Sequence, residues 1–230
     1  MGHKLFLAET KNFTSFEHNL LSTAAIYSLK MKYKILTLLF LLISVSVFSQ
    51  NIDIRILRSV YSPHDLQSDK FMKFVSNSNN GMVLGAPITI GIVGLIKHDD
   101  KWINSACQIV VANAINLGAT YSLKYAINRD RPFLTYPDIR NKVNENSPSF
   151  PSGHTSSAFA TATSLSLAFP KWYVIVPSYI WAGTVGYSRM QLGVHYPGDV
   201  LGGMITGAGS AYIAWKLNKW INKSRTRNHE

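Results

Sequence analysis

Residues 102–132 read WINSACQIVVANAINLGATYSLKYAINRDRP. The stretch is free of charge after Trp102 until Lys124, and after six intervening residues it meets Arg131-Pro132. Apolar and small residues follow one another here with no period-two alternation, which predicts a helix long enough to cross a hydrocarbon layer and argues against a strand. Runs 74–96, 146–170, 172–188 and 200–215 also lack Asp, Glu, Lys and Arg, and each is about the length of a membrane helix or slightly short. Small residues recur four apart at Ala114/Gly118, Ala158/Ala162 and Gly203/Gly207, a spacing that lets helix backbones approach closely. The expected fold is all-α: a bundle of about five core helices, membrane-embedded, with small helices on the outer face and the active site at the extracytoplasmic end.

At 230 residues the chain can bury one substantial core, and no linker, internal repeat or low-complexity tract divides it. Charged residues are 15% and apolar residues 47%, which places it between a soluble enzyme and a membrane protein. The net charge of +11 raises the question of nucleic acid, but the positions of the cations argue against such a partner. Lys30, Lys32 and Lys34 flank an apolar run, and Lys216, Lys219, Lys223, Arg225 and Arg227 gather near the C-terminus, with no aromatic-interleaved basic patch. Cytoplasmic flanks of membrane segments fit these clusters better. Cys107 stands alone, which offers neither a disulfide nor a thiolate metal site, and its apolar setting predicts a small core residue.

The N-terminal region divides at Met31. Residues 1–30 read as an upstream extension outside the fold. Residues 31–49 have a basic start, an apolar stretch from Ile35 to Val47 and a small-residue site ending at Ser49, the pattern of a signal peptide. The charge-free run 35–52 also permits an uncleaved membrane anchor. Residues 50–80 form an extracytoplasmic or interfacial lead-in, broken by Pro63, in which Ser68 or Asp69 caps a short helix carrying Phe71, Met72, Phe74 and Val75. Residues 81–220 form the helical core and 221–230 a basic cytoplasmic tail. If the chain emerges outside near Gln50, the turns at 97–101 and Lys171 fall inside, as does the tail, in keeping with the positive-inside rule.

Three polar motifs then lie on the outer face. They are Lys124 with Arg131-Pro132; Pro151-Ser152-Gly153-His154; and Ser188-Arg189, five residues, His195, three residues, Asp199. Three cations, two imidazoles and a carboxylate are costly beside so much apolar sequence unless they share a ligand, and a phosphoryl group suits that set.

These motifs resemble the three-part signature of the type-2 phosphatidic acid phosphatase family, which includes lipid phosphatases, bacterial acid phosphatases and vanadium haloperoxidases. The resemblance covers 124–199 with no departure at the positions the signature specifies. It implies a phosphatase with His195 as nucleophile forming a phosphohistidine, Asp199 orienting it, and His154 as general acid. Lys124, Arg131 and Arg189 would bind phosphate, with neither metal nor cofactor. The residue chemistry agrees. Arg donates to phosphate in a planar fork and Lys adds a compact charge, though Lys124 alone reads equally well as a membrane-flanking cation. Ser152 is a natural N-cap whose following amides could face an anion, and Gly153 lets that backbone come close. A carboxylate on one ring nitrogen of His195 leaves the other free to attack, as in catalytic triads. Pro197-Gly198 suggests that the last helix starts there, with Asp199 in its first turn. Arg129 and Asp130 read as surface or support residues, and the loop 133–150, with Glu145, as a contributor to headgroup choice.

The expected substrate is a phospholipid or prenyl phosphate, and the expected location a bacterial inner membrane with the site facing the periplasm. Other readings are a secreted soluble acid phosphatase acting on small phosphoesters, a vanadate-dependent haloperoxidase, and a lipid-binding membrane protein without turnover.

Overall fold

The computed structural model describes residues 52–64 and 67–227, with side chains through Ile221. Residues 1–49, expected as an extension and a signal or anchor, lie outside the described residues. All regular structure among the described residues is helical: α1 (52–60), α2 (Gln67–Lys97), α3 (Asp100–Ile127), α4 (Pro132–Thr135), α5 (Gly153–Ala168), α6 (Trp172–Gln191) and α7 (Pro197–Arg227). The five long helices form the bundle, and α7 continues past residue 220 without a break.

Helix α5 lies at the centre, touching α2, α3, α6 and α7. Its composition follows from that crowding, since its buried positions are Thr155, Ser156, Ala158, Ala160, Thr161, Ala162 and Ser164. Only small side chains fit, and several hydroxyls are satisfied within the bundle. Ser156 and Thr120 share a hydrogen bond of 3.0 Å, Asn116 donates to Ser156 at 3.3 Å, and Asn79 donates to Ser157 at 2.9 Å. The Gly203/Gly207 spacing seats α7 on α5, because a Cβ at Gly207 would lie 2.0 Å from the Ser156 carbonyl oxygen. Ala158 and Ala162 pack in one cluster with Val75, Ala182 and Val185.

Several expectations are corrected. Ala114 and Gly118 face outward and join no helix pair; the α3–α7 contact uses Ala112, Ala211 and Ala214 instead. Cys107 is exposed, not core. The short helix expected before residue 76 is the first part of α2, which begins before Ser68 and Asp69, so neither is its cap. Buried Asp69 instead takes Lys142 at 2.6 Å. Residues 146–152 are loop, because Pro148 and Pro151 interrupt the backbone ladder. Amides there bond elsewhere, Ser149 to the Arg129 carbonyl at 2.7 Å and Ser152 to that of Asp199 at 3.0 Å. Helix α3 ends before Pro132 at left-handed Asn128 (φ +46°), whose amide bonds back to Lys124.

Helices α3, α5, α6 and α7 alternate in direction, so one end of the bundle collects the end of α3, the start of α5, the end of α6 and the start of α7. All three motifs lie there.

Candidate active site

Lys124 sits in the last turn of α3, Arg131 in the loop before α4, and Ser152, Gly153 and His154 at the start of α5. Arg189 closes α6, His195 follows it in the connecting loop, and Asp199 lies in the first turn of α7, as expected. Gly193 (φ +76°) turns the chain towards His195, and a Cβ there would lie 2.7 Å from the Arg140 carbonyl oxygen. Lys124, Arg131, Arg189, His195 and Asp199 are all buried.

The His195 ring is held from both sides. Nδ1 lies 3.5 Å from Asp199 Oδ2 and 3.5 Å from Ser149 Oγ, and Nε2 faces Arg131 Nη1 at 3.4 Å. With 1% of its surface exposed, the imidazole pays for protonation by desolvation, and burial pushes its pKa down to about 3 despite Asp199. Burial therefore favours a neutral ring, with Nδ1 turned to Asp199 and Ser149 and Nε2 to Arg131.

Asp199 serves more than the histidine. Oδ1 accepts from Arg129 Nη1 at 2.8 Å, while Oδ2 accepts from Ser149 Oγ at 2.5 Å and from the Tyr196 amide at 2.9 Å. Ser152 is the N-cap by position, but its hydroxyl makes no cap bond and accepts from Thr155 Oγ1 at 2.9 Å.

The cation cluster contains a carboxylate that the motifs do not include. Glu145 Oε1 lies 2.5 Å from Arg189 Nη2 and 3.9 Å from His154 Nδ1, and Oε2 lies 3.3 Å from Arg131 Nη2. Burial opposes its charge, but Arg189 and then Arg131 outweigh that effect and hold its pKa below the ordinary value. The remaining donors of Arg131 go largely to Ser147 and the Val194 carbonyl, and Arg189 Nη1 bonds Ser76. Arg189 Nε is buried with no partner among the described residues. Lys124 Nζ donates to the Pro148 carbonyl.

A cleft of about 900 Å³ opens onto this cluster. Its polar end is lined by Lys124, Arg131, Glu145, Gly153, His154 and His195. The rest runs along α2 and α3 past Val83, Leu84, Ile88, Val110, Val111 and Leu117.

A model of the PAP2 superfamily matches residues 105–223, just over half of the chain and all three motifs. The chain belongs to the PAP2 superfamily. Among curated PAP2 relatives, the undecaprenyl-diphosphatase of Sulfolobus acidocaldarius is 30% identical over 195 residues, covering 82% of this chain and 92% of that protein. The lipid A 4'-phosphatase of Bacteroides thetaiotaomicron is 28% identical over 181 residues, covering 72% and 76%. The crystal structure of a transmembrane PAP2-type phosphatidylglycerolphosphate phosphatase from Bacillus subtilis superposes with a TM-score of 0.64 at 26% identity, covering 80% of this chain and 94% of that one.

Glu145, Ser149, Arg129, Asp53 and Ser76 are the site neighbours the motif reading did not place. The sequence alone marks Glu145 only as part of a headgroup loop and Arg129 only as a surface or support residue. The signal for Arg129 was available: a second arginine two residues before Arg131 is costly at a helix end unless it has an anionic partner.

Proposed function

We propose that this PAP2 protein is a membrane-embedded phosphatase that hydrolyses lipid phosphate mono- or diphosphate esters through a phosphohistidine, with its site on the extracytoplasmic side. The observation that carries the reading is the cleft: one end gathers His195, His154, Arg131 and Lys124, and the remainder is an apolar channel along α2 and α3. A small phosphoester has no use for such a channel, whereas an acyl or prenyl tail buries apolar area along it. The relatives named above act on lipid A and undecaprenyl diphosphate, both phosphates on long apolar bodies.

In the proposed reaction His195 Nε2 attacks phosphorus in line, forming a P–N bond as the P–O bond to the lipid breaks. His154 gives a proton to the departing oxygen. Asp199, with Ser149, keeps the Nδ1 side of the ring fixed. Water then attacks phosphorus, His154 takes its proton, and the P–N bond breaks to release inorganic phosphate. Arg131, Arg189 and Lys124 stabilise the charge on the transferring oxygens. A phosphate oxygen on Arg189 Nη2 takes the place of the Glu145 carboxylate, so Glu145 swings out as substrate enters. Among the described residues, no group of three or more His, Cys, Asp or Glu side chains could hold a metal.

Membrane embedding is supported by the apolar side chains on the bundle surface, including Leu84, Ile88, Leu95, Ile96, Val110, Leu117, Ile180, Leu201 and Ile205. Helix α2 is long and apolar enough to cross a membrane by length and composition. The end opposite the site carries Lys97, Lys101, Lys171, Lys216 and Lys219, cations that favour the cytoplasmic side, together with Trp172, Tyr173 and Trp220, aromatics that suit a membrane interface.

The test is phosphate release by protein purified in detergent, from phospholipid and prenyl phosphates against a short-chain phosphoester. Wild type should prefer the lipids, and His195→Ala should remain folded and be inactive. A folded His195→Ala protein with near wild-type turnover would sink the mechanism. Preference for the short ester, or activity released from membranes by a carbonate wash, would sink the lipid assignment.

A further inference from the structure

We propose that Asp53 and Arg129 are positioning residues for the Asp199–His195 pair, so that helix α1, outside the span matched by the family model, is part of the catalytic unit. The inference rests on the phosphatase reading above. Asp53 is 5% exposed, and each of its oxygens has a partner. Oδ2 accepts from Arg129 Nη2 at 2.8 Å and Oδ1 from the Gly198 amide at 3.0 Å. Arg129 passes the contact on, donating through Nη1 to Asp199 Oδ1 at 2.8 Å, with its guanidinium 4.0 Å from the Tyr196 ring centroid. Tyr196 in turn gives its amide to Asp199 Oδ2. The sequence of charges is carboxylate, guanidinium, carboxylate, imidazole.

The start of α7 is shaped to admit this carboxylate. A Cβ on Gly198 would lie 2.7 Å from Asp53 Oδ2 and 3.2 Å from Oδ1, so any larger residue at position 198 would push Asp53 away. Of the three positions that the motif leaves unspecified between His195 and Asp199, the last is thus glycine for a reason outside the motif.

The electrostatic consequence has a direction. Arg129 alone would draw the charge of Asp199 onto itself and away from the Nδ1 side of His195. Asp53 neutralises Arg129 from its other edge, leaving Asp199 a stronger acceptor for the imidazole proton. Its bond to Gly198 also fixes the first turn of α7, and with it the rotamer of Asp199. Helix α1 does not hang on Asp53 alone, because Ile54, Leu57 and Tyr61 pack with Ile139 and Tyr196 in their own cluster. Asp53→Asn therefore leaves α1 in place while removing the charge and turning one acceptor into an NH2 that faces Arg129 or the Gly198 amide, both donors.

Two measurements on the full chain in detergent test the proposal. The first is steady-state and single-turnover hydrolysis of the wild type's best lipid phosphate. Asp53→Asn should lower kcat and the rate of phosphoenzyme formation about tenfold, with KM and vanadate affinity changed no more than about twofold. Asp53→Glu should recover part of the loss, and in an Arg129→Gln background Asp53→Asn should add almost nothing. The second is histidine ¹⁵N NMR, which reads the His195 tautomer without turnover. Wild type should hold Nδ1–H, and Asp53→Asn should mix the tautomers. Wild-type kcat in a folded Asp53→Asn protein, a raised KM at unchanged kcat, or losses that multiply independently of Arg129 would overturn the proposal. Wild type inactive on every lipid phosphate, yet with the tautomer shift present, would overturn the phosphatase reading and leave the positioning role standing. An unchanged tautomer overturns the positioning role itself.

Discussion

Replacing Glu145 with glutamine should make the protein bind oxyanions more tightly. The carboxylate bridges Arg189 at 2.5 Å and Arg131 at 3.3 Å, so an oxyanion reaching those donors must first break both contacts. A hydrogen bond to a charged group contributes roughly 1.5–3 kcal/mol net, and of these two the Arg131 contact is long and weak. Two unit charges 4 Å apart at an effective dielectric of 20 set an upper figure of about 4 kcal/mol. Glu145 is 25% exposed, so solvent screens part of this and the lower figure is the better guide. About 2 kcal/mol corresponds to roughly 30-fold in affinity. Vanadate and inorganic phosphate should therefore inhibit Glu145→Gln about 30-fold more strongly than wild type, and calorimetric titration should find the same gain. Because the carboxyl is held ionised below its ordinary range, the difference should persist across neutral pH and shrink only in acid, as wild-type Glu145 takes up a proton. Turnover at low substrate should rise, and product inhibition should become severe. If vanadate binds a folded Glu145→Gln protein no more tightly than wild type, Glu145 does not compete for the cradle and is instead a fixed wall of it.

Three further outcomes follow from the geometry. His195 stays neutral in the folded chain down to about pH 3, whereas the unfolded chain protonates it near 6.5. Its contribution is thus intact above 6.5 and lost as pH falls from 6.5 towards 3, by up to about 1.4 kcal/mol per unit; thermal melts in detergent at pH 7.5 and 4.5 should show a smaller acid loss for His195→Gln, and equal losses would contradict the burial account. Gly207→Ala should cost about 3 kcal/mol or more, since its Cβ would stand 2.0 Å from the Ser156 carbonyl oxygen, while Gly209→Ala, with nothing within 4 Å, should melt like wild type. Cys107 lines the cleft and is exposed, so maleimide should label it, and a long-chain lipid phosphate but not inorganic phosphate should slow that labelling; equal protection by both would place the lipid tail elsewhere.

What could be read in the amino-acid order is what physical cost makes conspicuous. Lys124, Arg131, Arg189 and the two histidines stand out because charge and imidazole are expensive beside apolar helices, and their order along alternating helices already puts them at one end. Packing was legible where a small-residue spacing had one outcome, as at Gly203/Gly207, and misleading where it had two. Ala114/Gly118 has the same spacing but faces outward, because α3 presents Ala112 to α7 instead. Partner choice was not legible. Glu145 lies in a polar loop where a carboxylate is unremarkable, and nothing local separates it from Asp138, which pairs with Arg58 on the surface. Arg129 and Asp53 are 76 residues apart, so although Arg129 signals a need for an anion, nothing local names Asp53 as its partner. Asp199 shows how far a motif reaches. Its spacing from His195 says that a carboxylate belongs there, yet Arg129, Ser149 and the Tyr196 amide all hold shorter contacts to it than His195 does. How strongly it polarises the imidazole depends on how those donors divide its lone pairs. Helix α1, which precedes all three motifs, enters that division through the contact of Asp53 with Arg129.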